Sequence, residues 1–424
     1  MIPLSVEDVR RLAPGELRVR GDRVTGVEVD SRRVGPGNLF VAVGRGRDFV
    51  EEALGRGAAA ALVPDDPFAS LAALAAAVRA RSRAGVVGVT GSVGKTSTKD
   101  ILAALCRPHV ATVAAEAGFN NEIGLPLTML RIEPDTEVVV AEMGMRGLGQ
   151  IAELFRVARP DVGVVTGIGP VHLELLGTVE RVAQAKAELV AALPAGGTAV
   201  VPADAPELEP FLGRHDIEIV RFGDGGDVRL ASFEPPLLVA DVRGTAVELE
   251  VPFAGEHHAD NTLAALGAYA ALGLPLERAG EGSPAISFSR LRGEELELPG
   301  GALLINDAWN ANPVSMRAAL AYLVRRAGGR RAVAVLGEMA ELGPDAPRYH
   351  SEVGEAAREL GVDVLIAVGG ELAARYGGTP AGTPEEAAAL LRDLLEPGDV
   401  VLVKASRVHR LETVADALVG APTA

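Results

Sequence analysis

Gly85-Val-Val-Gly-Val-Thr-Gly-Ser-Val-Gly-Lys-Thr-Ser-Thr98 joins a short apolar run to a stretch of helical periodicity, and its reading decides the fold class. Val86, Val87 and Val89 leave no wet face, as expected of a strand buried within a parallel sheet. From Thr96 to Leu105 the apolar residues recur at helical spacing. Between the two lie Gly91 and Gly94, then Lys95 and Thr96. Glycines let backbone N–H groups turn inward, a helix N-terminus adds positive potential, and a lysine neutralises phosphate oxygens. A strand, a glycine turn, Gly-Lys-Thr and a helix in that order predict a phosphate-binding loop. A glycine turn before an amphipathic helix would explain the glycines alone, but not Lys95 and Thr96 at the helix start. Two residues separate the glycines here, where the usual loop has four.

Outward from this loop, strands alternate with helices. Strand-like runs recur at Glu137–Ala141, Asp161–Thr166 and Thr198–Pro202, which implies a parallel sheet covered on both faces. Between Asp227 and Phe253 the period changes. Val247, Leu249 and Val251 alternate with Glu248 and Glu250, so an antiparallel element with one wet face is expected. A helix over 259–272 closes this region. A further α/β block starts near Leu296, with strands expected at Ala302–Asn306, Ala332–Leu336, Val362–Val368 and Asp399–Val403. Before the loop, residues 1–83 mix short strands (Val24–Val29, Asn38–Val43) with an alanine-rich helix, Phe68–Arg81. The arginine-rich stretch Arg79–Gly85 reads as a linker. The expectation is an α/β protein of three domains: a small α/β domain over 1–83, a nucleotide-binding parallel sheet with an added antiparallel element over 84–295, and a Rossmann-like domain over 296–424. A length of 424 residues exceeds what one core usually fills.

Composition narrows the class of partner. The formal net charge is −16, which disfavours nucleic acid and anionic membranes. No apolar run approaches the roughly 20 residues of a membrane span. Met1–Leu12 carries Glu7, Asp8, Arg10 and Arg11 and has no signal-peptide core. Cys106 is the single cysteine, so no intrachain disulfide forms, and a reducing cytoplasm is expected. Only four lysines occur, Lys95, Lys99, Lys186 and Lys404, against 37 arginines. A general bias explains that scarcity, but not where the four survivors sit.

A phosphate site in an acidic chain calls for Mg²⁺ and hard oxygen ligands. Glu142 ends the next strong strand, in Val138-Val-Val-Ala-Glu142, where ligands gather in doubly wound sheets. His172, in Gly169-Pro-Val-His-Leu-Glu174, again follows a strand.

These motifs resemble the Mur ligases of peptidoglycan synthesis over the full length of the chain. Thr90, Gly91, Ser92, Val93, Gly94, Lys95, Thr96 and Ser97 are similar to that family's ATP loop, short glycine spacing included. The resemblance implies that Thr96, Glu142 and His172 serve Mg²⁺. It implies that Lys186, in Ala185-Lys-Ala-Glu188, is carbamylated and serves a second Mg²⁺. Asn261, in Gly255-Glu-His-His-Ala-Asp-Asn261, matches the asparagine near the adenine. Arg292 and Asp307 fall where the family has a hinge arginine and a nucleotide-contacting aspartate.

Within the family, Asn306-Asp-Ala-Trp-Asn-Ala-Asn-Pro-Val-Ser-Met316 is similar to the acceptor loop of members that add D-alanyl-D-alanine to UDP-N-acetylmuramoyl-tripeptide. That likeness places Asn310 and Asn312 at the acceptor, although asparagines before a helix also serve as caps. The Asp-Asn-Pro-Arg loop of the members that add diaminopimelate or lysine is absent. The same loop argues against a folylpolyglutamate-type synthetase. A nucleotide-hydrolysing regulatory module would leave residues 1–83 without a role. Gly118-Phe-Asn-Asn-Glu-Ile-Gly-Leu-Pro126 and Val335-Leu-Gly-Glu-Met-Ala-Glu-Leu-Gly343 agree with the dipeptide-adding members, so Asn120 and Asn121 are candidate substrate contacts. Ser31 and Arg32, in Asp30-Ser-Arg-Arg33, match the segment that holds the UDP end, but the loop after Gly44 is shortened. Val403-Lys-Ala-Ser-Arg407 matches a Lys-Gly-Ser-Arg motif, so Lys404 and Arg407 are expected at the acceptor or nucleotide. His350, in an apparent helix, is read as a packing or capping residue. A monomer is expected, activating a carboxylate as an acyl phosphate.

Overall fold

The computed structural model describes residues 1–116 and 118–420, which form three successive α/β blocks. In the first, strands Gly26–Glu28, Asn38–Val41 and Ala60–Pro64 run parallel, and Gly15–Val19 adds an antiparallel edge. The helix Pro67–Arg81 starts where the sequence dictates. Asp66 Oδ1 accepts from the N–H groups of Phe68 and Ala69, and Pro67 occupies the first turn, where its missing N–H costs nothing. The expected linker is not free. Arg79 and Arg81 continue this helix, and Arg79 bonds to the carbonyls of Ala158 and Arg159 and to Asp161. Only residues 82–84 connect the blocks.

The central sheet has nine strands. Thr112–Ala114, Val138–Glu142, Gly85–Thr90, Val162–Val165, Thr198–Pro202 and Glu218–Phe222 lie side by side in that order and parallel. The antiparallel strands Val228–Glu234, Leu237–Val242 and Thr245–Glu250 extend it, with Val247 and Leu249 buried and Glu248 and Glu250 exposed. The chain leaves Gly85–Thr90, builds two strands on one side, then returns to place Val162–Val165 on the other. That reversal opens a crevice at the carboxyl end of the central strand.

The third sheet orders Glu294–Glu297, Leu303–Asn306, Val400–Lys404, Ala332–Gly337, Val364–Val368 and Thr379–Ala381. All pair in parallel except the first two, which form a hairpin. Glu294–Glu297 straddles the expected boundary at 295/296 and belongs to this sheet. Apolar cores fill both faces of each large sheet. Among the described residues, no helix is long and apolar enough to cross a membrane.

The second and third blocks touch. Val314 packs on Gly169, Glu174 N–H donates to Glu341 O at 3.3 Å, Tyr322 meets His257 edge-on, and Arg325 pairs with Glu256.

Candidate functional site

Gly91 and Gly94 adopt φ of 151° and 80°, which side chains resist. Their surroundings exclude side chains as well. A Cβ on Gly91 would lie 2.0 Å from Thr166 Oγ1, and one on Gly94 would lie 2.2 Å from Asn261 Oδ1. The loop is therefore clamped between the next strand and the helix Glu256–Ala271. Thr166 Oγ1 donates to the Thr90 and Val93 carbonyls. Ser92 Oγ donates to Gly169 O at 3.1 Å and accepts from Gly169 N–H at 3.0 Å. The helix Lys95–Cys106 starts at the end of the loop, so its first N–H groups open toward the crevice.

Lys95 Nζ donates to Gly91 O at 2.7 Å, folded back over its own loop. Burial lowers its pKa, Glu142 opposes that shift and Arg292 adds to it. Thr96 Oγ1 donates to Glu142 Oε2 at 2.8 Å, and Asn120 Nδ2 donates to Glu142 Oε1 at 2.8 Å. Glu142 is buried, so these two bonds hold an anion in a confined place. Thr98 Oγ1 reaches Asn261 Oδ1 at 3.5 Å, and Ser97 is buried within the same first turns of the helix.

Lys186 is 1 % exposed on the helix Val179–Ala192 and has no hydrogen-bond or ion-pair partner among the described residues. Burial holds its pKa well below the ordinary lysine value, and Lys95 lowers it further. His172 has φ of 54°, and its Nδ1 meets Glu341 Oε2 from the third block. Burial lowers the histidine pKa, Glu341 opposes this, and Lys186 and Lys95 act in the same direction as burial. Lys95, Glu142, His172, Lys186 and Arg292 therefore share one electrostatic neighbourhood.

Among the described residues, no three His, Cys, Asp or Glu side chains converge on one point. Mg²⁺ does not need such a cage, because it keeps waters and takes phosphate oxygens beside one or two carboxylates. Glu142 and Thr96, bonded to each other at the mouth of the phosphate loop, fit that chemistry.

Across the crevice, Lys404 Nζ donates to Asp307 Oδ2 at 2.6 Å and to Asn310 O at 2.8 Å, at the end of a buried strand. The ion pair ties the loop 307–310 to the strand Val400–Lys404. Asn312 caps the helix Pro313–Ala327 through Ser315 N–H at 2.9 Å, while its Nδ2 is buried without a partner among the described residues. Asn121 Oδ1 is likewise engaged with the N–H groups of Ile123 and Gly124. The indole of Trp309 lies under two cations, Arg292 at 5.7 Å and Arg407 at 5.6 Å from the ring centroid. It also faces Gly118 of the central block, where a Cβ would lie 3.4 Å from Trp309 Cζ2. Arg407 pairs with Glu412 as well.

Ser31 and Arg32 lie apart from this centre. Ser31 Oγ donates to Glu52 at 3.3 Å, and Arg32 forks onto Asp30. Arg33, not singled out from the sequence, reaches Glu116 beside the loop of Asn120 at 3.4 Å. The shortened segment is a compact turn over Gly44–Phe49. His350 is a core residue. Its Nδ1 contacts Ala346 O at 2.7 Å and its Nε2 accepts from Met339 N–H at 3.0 Å. Lys99 is buried on the same helix as the loop lysine and bonds to Ala115 O and Asp100. Trp309 and Glu341 are the residues that the sequence reading missed.

Known proteins share this arrangement. Residues 89–269 match the model of the Mur ligase middle domain, and residues 291–407 match that of the Mur ligase glutamate ligase domain. The UDP-N-acetylmuramoyl-tripeptide--D-alanyl-D-alanine ligase of Mycobacterium tuberculosis (strain ATCC 25618 / H37Rv) is 36% identical, over 100% of this chain and 99% of the relative. A crystal structure of MurF from Acinetobacter baumannii superposes with a TM-score of 0.87 at 27% identity, covering 99% of each chain. MurF ligase from Thermotoga maritima in complex with ADP gives 0.80 at 29% identity, covering 93% of this chain and 96% of that one. A clamped phosphate loop, a buried Glu142 beside it, two matching domain models and likeness over the whole length together place this chain in the Mur ligase family.

Proposed function

We propose that this enzyme joins D-alanyl-D-alanine to UDP-N-acetylmuramoyl-tripeptide, with ATP converted to ADP and phosphate. The observation that carries this reading is the seating of the acceptor loop against the phosphate loop. Val314, just past Asn310-Ala-Asn-Pro313, packs on Gly169, which is bonded to Ser92. The relatives that match over their whole length bear this activity in their names, and the Thermotoga neighbour holds ADP.

A carboxylate is a poor electrophile, and it is repelled by the triphosphate it must attack. The loop Thr90–Ser97 offers backbone N–H groups to the phosphates, and Lys95 leaves Gly91 O to neutralise the γ-phosphoryl oxygens. Asn261 holds the nucleotide from beside Gly94, with Arg292 and Asp307 as further contacts. Thr96, Glu142, His172 and Lys186 as its carbamate would hold Mg²⁺, which would offset the charge shared by carboxylate and triphosphate. The carbamate is consistent with the buried amine: neutral Lys186 attacks CO₂, an N–C bond forms, a proton leaves, and an anionic oxygen group results.

A tripeptide carboxylate oxygen then attacks the γ-phosphorus and ADP leaves. The dipeptide amine attacks the acyl phosphate carbonyl. Phosphate departs with the former carboxylate oxygen, and the amine gives up a proton. Asn310, Asn312, Lys404 and Arg407 hold the acceptor side, Asn120 and Asn121 the tripeptide side, and Ser31 and Arg32 the UDP end. Docking of the third block excludes the water that would hydrolyse the acyl phosphate.

The test measures ADP formation with UDP-N-acetylmuramoyl-tripeptide, with and without D-alanyl-D-alanine, and weighs the product. Turnover that needs the dipeptide, with a mass gain of one dipeptide less water, is expected. Turnover indifferent to the dipeptide, or fully supported by a single amino acid instead, would overturn the assignment.

A further inference from the structure

Glu341 lies in the third block, on the turn that follows the strand Ala332–Gly337, yet its contacts are with the central block. Its Oε2 meets His172 Nδ1, its Oε1 lies 3.5 Å from Arg146 Nε, and its carbonyl accepts from Glu174 N–H at 3.3 Å. Gly343, two residues on, lies against Leu173 and Glu174, since a Cβ there would sit 3.3 Å from Glu174 Cα. Both members of the central pair hold the left-handed backbone that most side chains avoid, His172 at φ 54° and Glu341 at φ 63°. Such conformations persist where surrounding structure imposes them. Here they aim two side chains at each other across a domain boundary.

The chemistry of this contact is specific. A carboxylate at Nδ1 takes the N–H of that nitrogen, so Nε2 carries the free lone pair and the ring is fixed in rotation. We propose that Glu341 is a positioning residue. It orients His172 toward Mg²⁺ and makes that orientation conditional on docking of the third block. Only the docked enzyme then has a complete metal site, so phosphoryl transfer waits until water is excluded. This inference rests on the proposed role of His172, and it goes beyond it by naming the partner that sets the ring.

The test measures Mn²⁺ binding in the presence of ADP by electron paramagnetic resonance, with neither tripeptide nor dipeptide. Failure of the ligase assay would thus not be confused with failure here. Glu341→Gly suits the left-handed backbone, and Glu341→Gln keeps size and removes charge, so it decides the matter if the glycine variant folds poorly. Both should weaken Mn²⁺ binding, the glycine variant by about 10–100-fold, as removal of a histidine's outer partner commonly does. In a His172→Asn background, Glu341→Gly should cause no further loss. Emission from Trp309, the only tryptophan, should shift to the red in Glu341→Gly as Gly118 separates from the indole. Wild-type Mn²⁺ affinity in both variants, a further loss in the His172→Asn background, or unchanged Trp309 emission would each overturn the proposal.

Discussion

The Asp307–Lys404 pair yields a prediction whose two halves differ in size. Lys404 is 2 % exposed, and its ammonium has two partners, the Asp307 carboxylate at 2.6 Å and the Asn310 carbonyl at 2.8 Å. The Asp307 side chain is 24 % exposed and reaches water. Removing one partner of a buried pair costs about 3–5 kcal/mol when the survivor is left charged and dry. Asp307→Ala leaves Lys404 in that condition, so the third block should lose about 3 kcal/mol or more. Lys404→Met leaves Asp307, which can take up solvent, so the loss should be nearer the 1.5–3 kcal/mol of a bond to a charged group, at about its lower end. The double variant should be more stable than Asp307→Ala alone. Guanidinium unfolding followed by far-ultraviolet circular dichroism and by Trp309 emission measures this, because Trp309 reports on the same loop. Equal losses in the two single variants, or a double variant less stable than Asp307→Ala, would refute the reasoning. Since Lys404 also holds Asn310 O, Lys404→Met should raise the KM for dipeptide more than the KM for ATP.

Three further outcomes follow from the same structure. Gly94→Ala forces alanine into a left-handed conformation at about 1–2 kcal/mol and drives its Cβ against Asn261 Oδ1, so calorimetry should show ADP binding weakened by about 10-fold or more. Thr96→Val removes the hydroxyl bonded to Glu142 but not the backbone of the loop; the Mg²⁺ concentration for half-maximal rate should rise about 10-fold, with metal-free ADP affinity within about twofold of wild type. His258 stacks on Phe288 at 4.0 Å, and burial, reinforced by His257, lowers its pKa well below the usual value of 6.5. The unfolded chain therefore binds more protons below pH 6.5, and stability falls as pH drops through that region. His258→Phe keeps the stack and should flatten melting temperature between pH 7.5 and about pH 5, while an unchanged slope would assign acid sensitivity elsewhere.

The large parallel sheets were legible because their strands are nearly pure valine, leucine and alanine, and because glycine and lysine punctuate the loop at their ends. Glu142 and His172 stood out by their positions after strands, whereas Lys186, within the helix Val179–Ala192, entered through the resemblance to the family, and its electrostatic link to Lys95 and His172 comes from the structure. Glu294–Glu297 was missed since one leucine among three glutamates makes a poor alternation, and hairpin pairing with Leu303–Asn306 supplies what the pattern lacks. Arg79–Gly85 read as a linker because arginines look solvated, yet Arg79 satisfies carbonyls of the central block across the boundary. Glu341 could not be matched with His172, which lies 169 residues earlier, because no local period records a contact made by two domains. Trp309 passed as part of the acceptor motif, although its ring gathers Arg292, Arg407 and Gly118.

The acyl phosphate is tested most directly by labelling both oxygens of the tripeptide's reacting carboxylate with ¹⁸O and analysing the phosphate released during turnover with ATP and D-alanyl-D-alanine. Attack on the γ-phosphorus requires one ¹⁸O in each inorganic phosphate and the other in the new amide carbonyl. Unlabelled phosphate, or label recovered in AMP, would contradict activation of the carboxylate at the phosphate loop of Lys95.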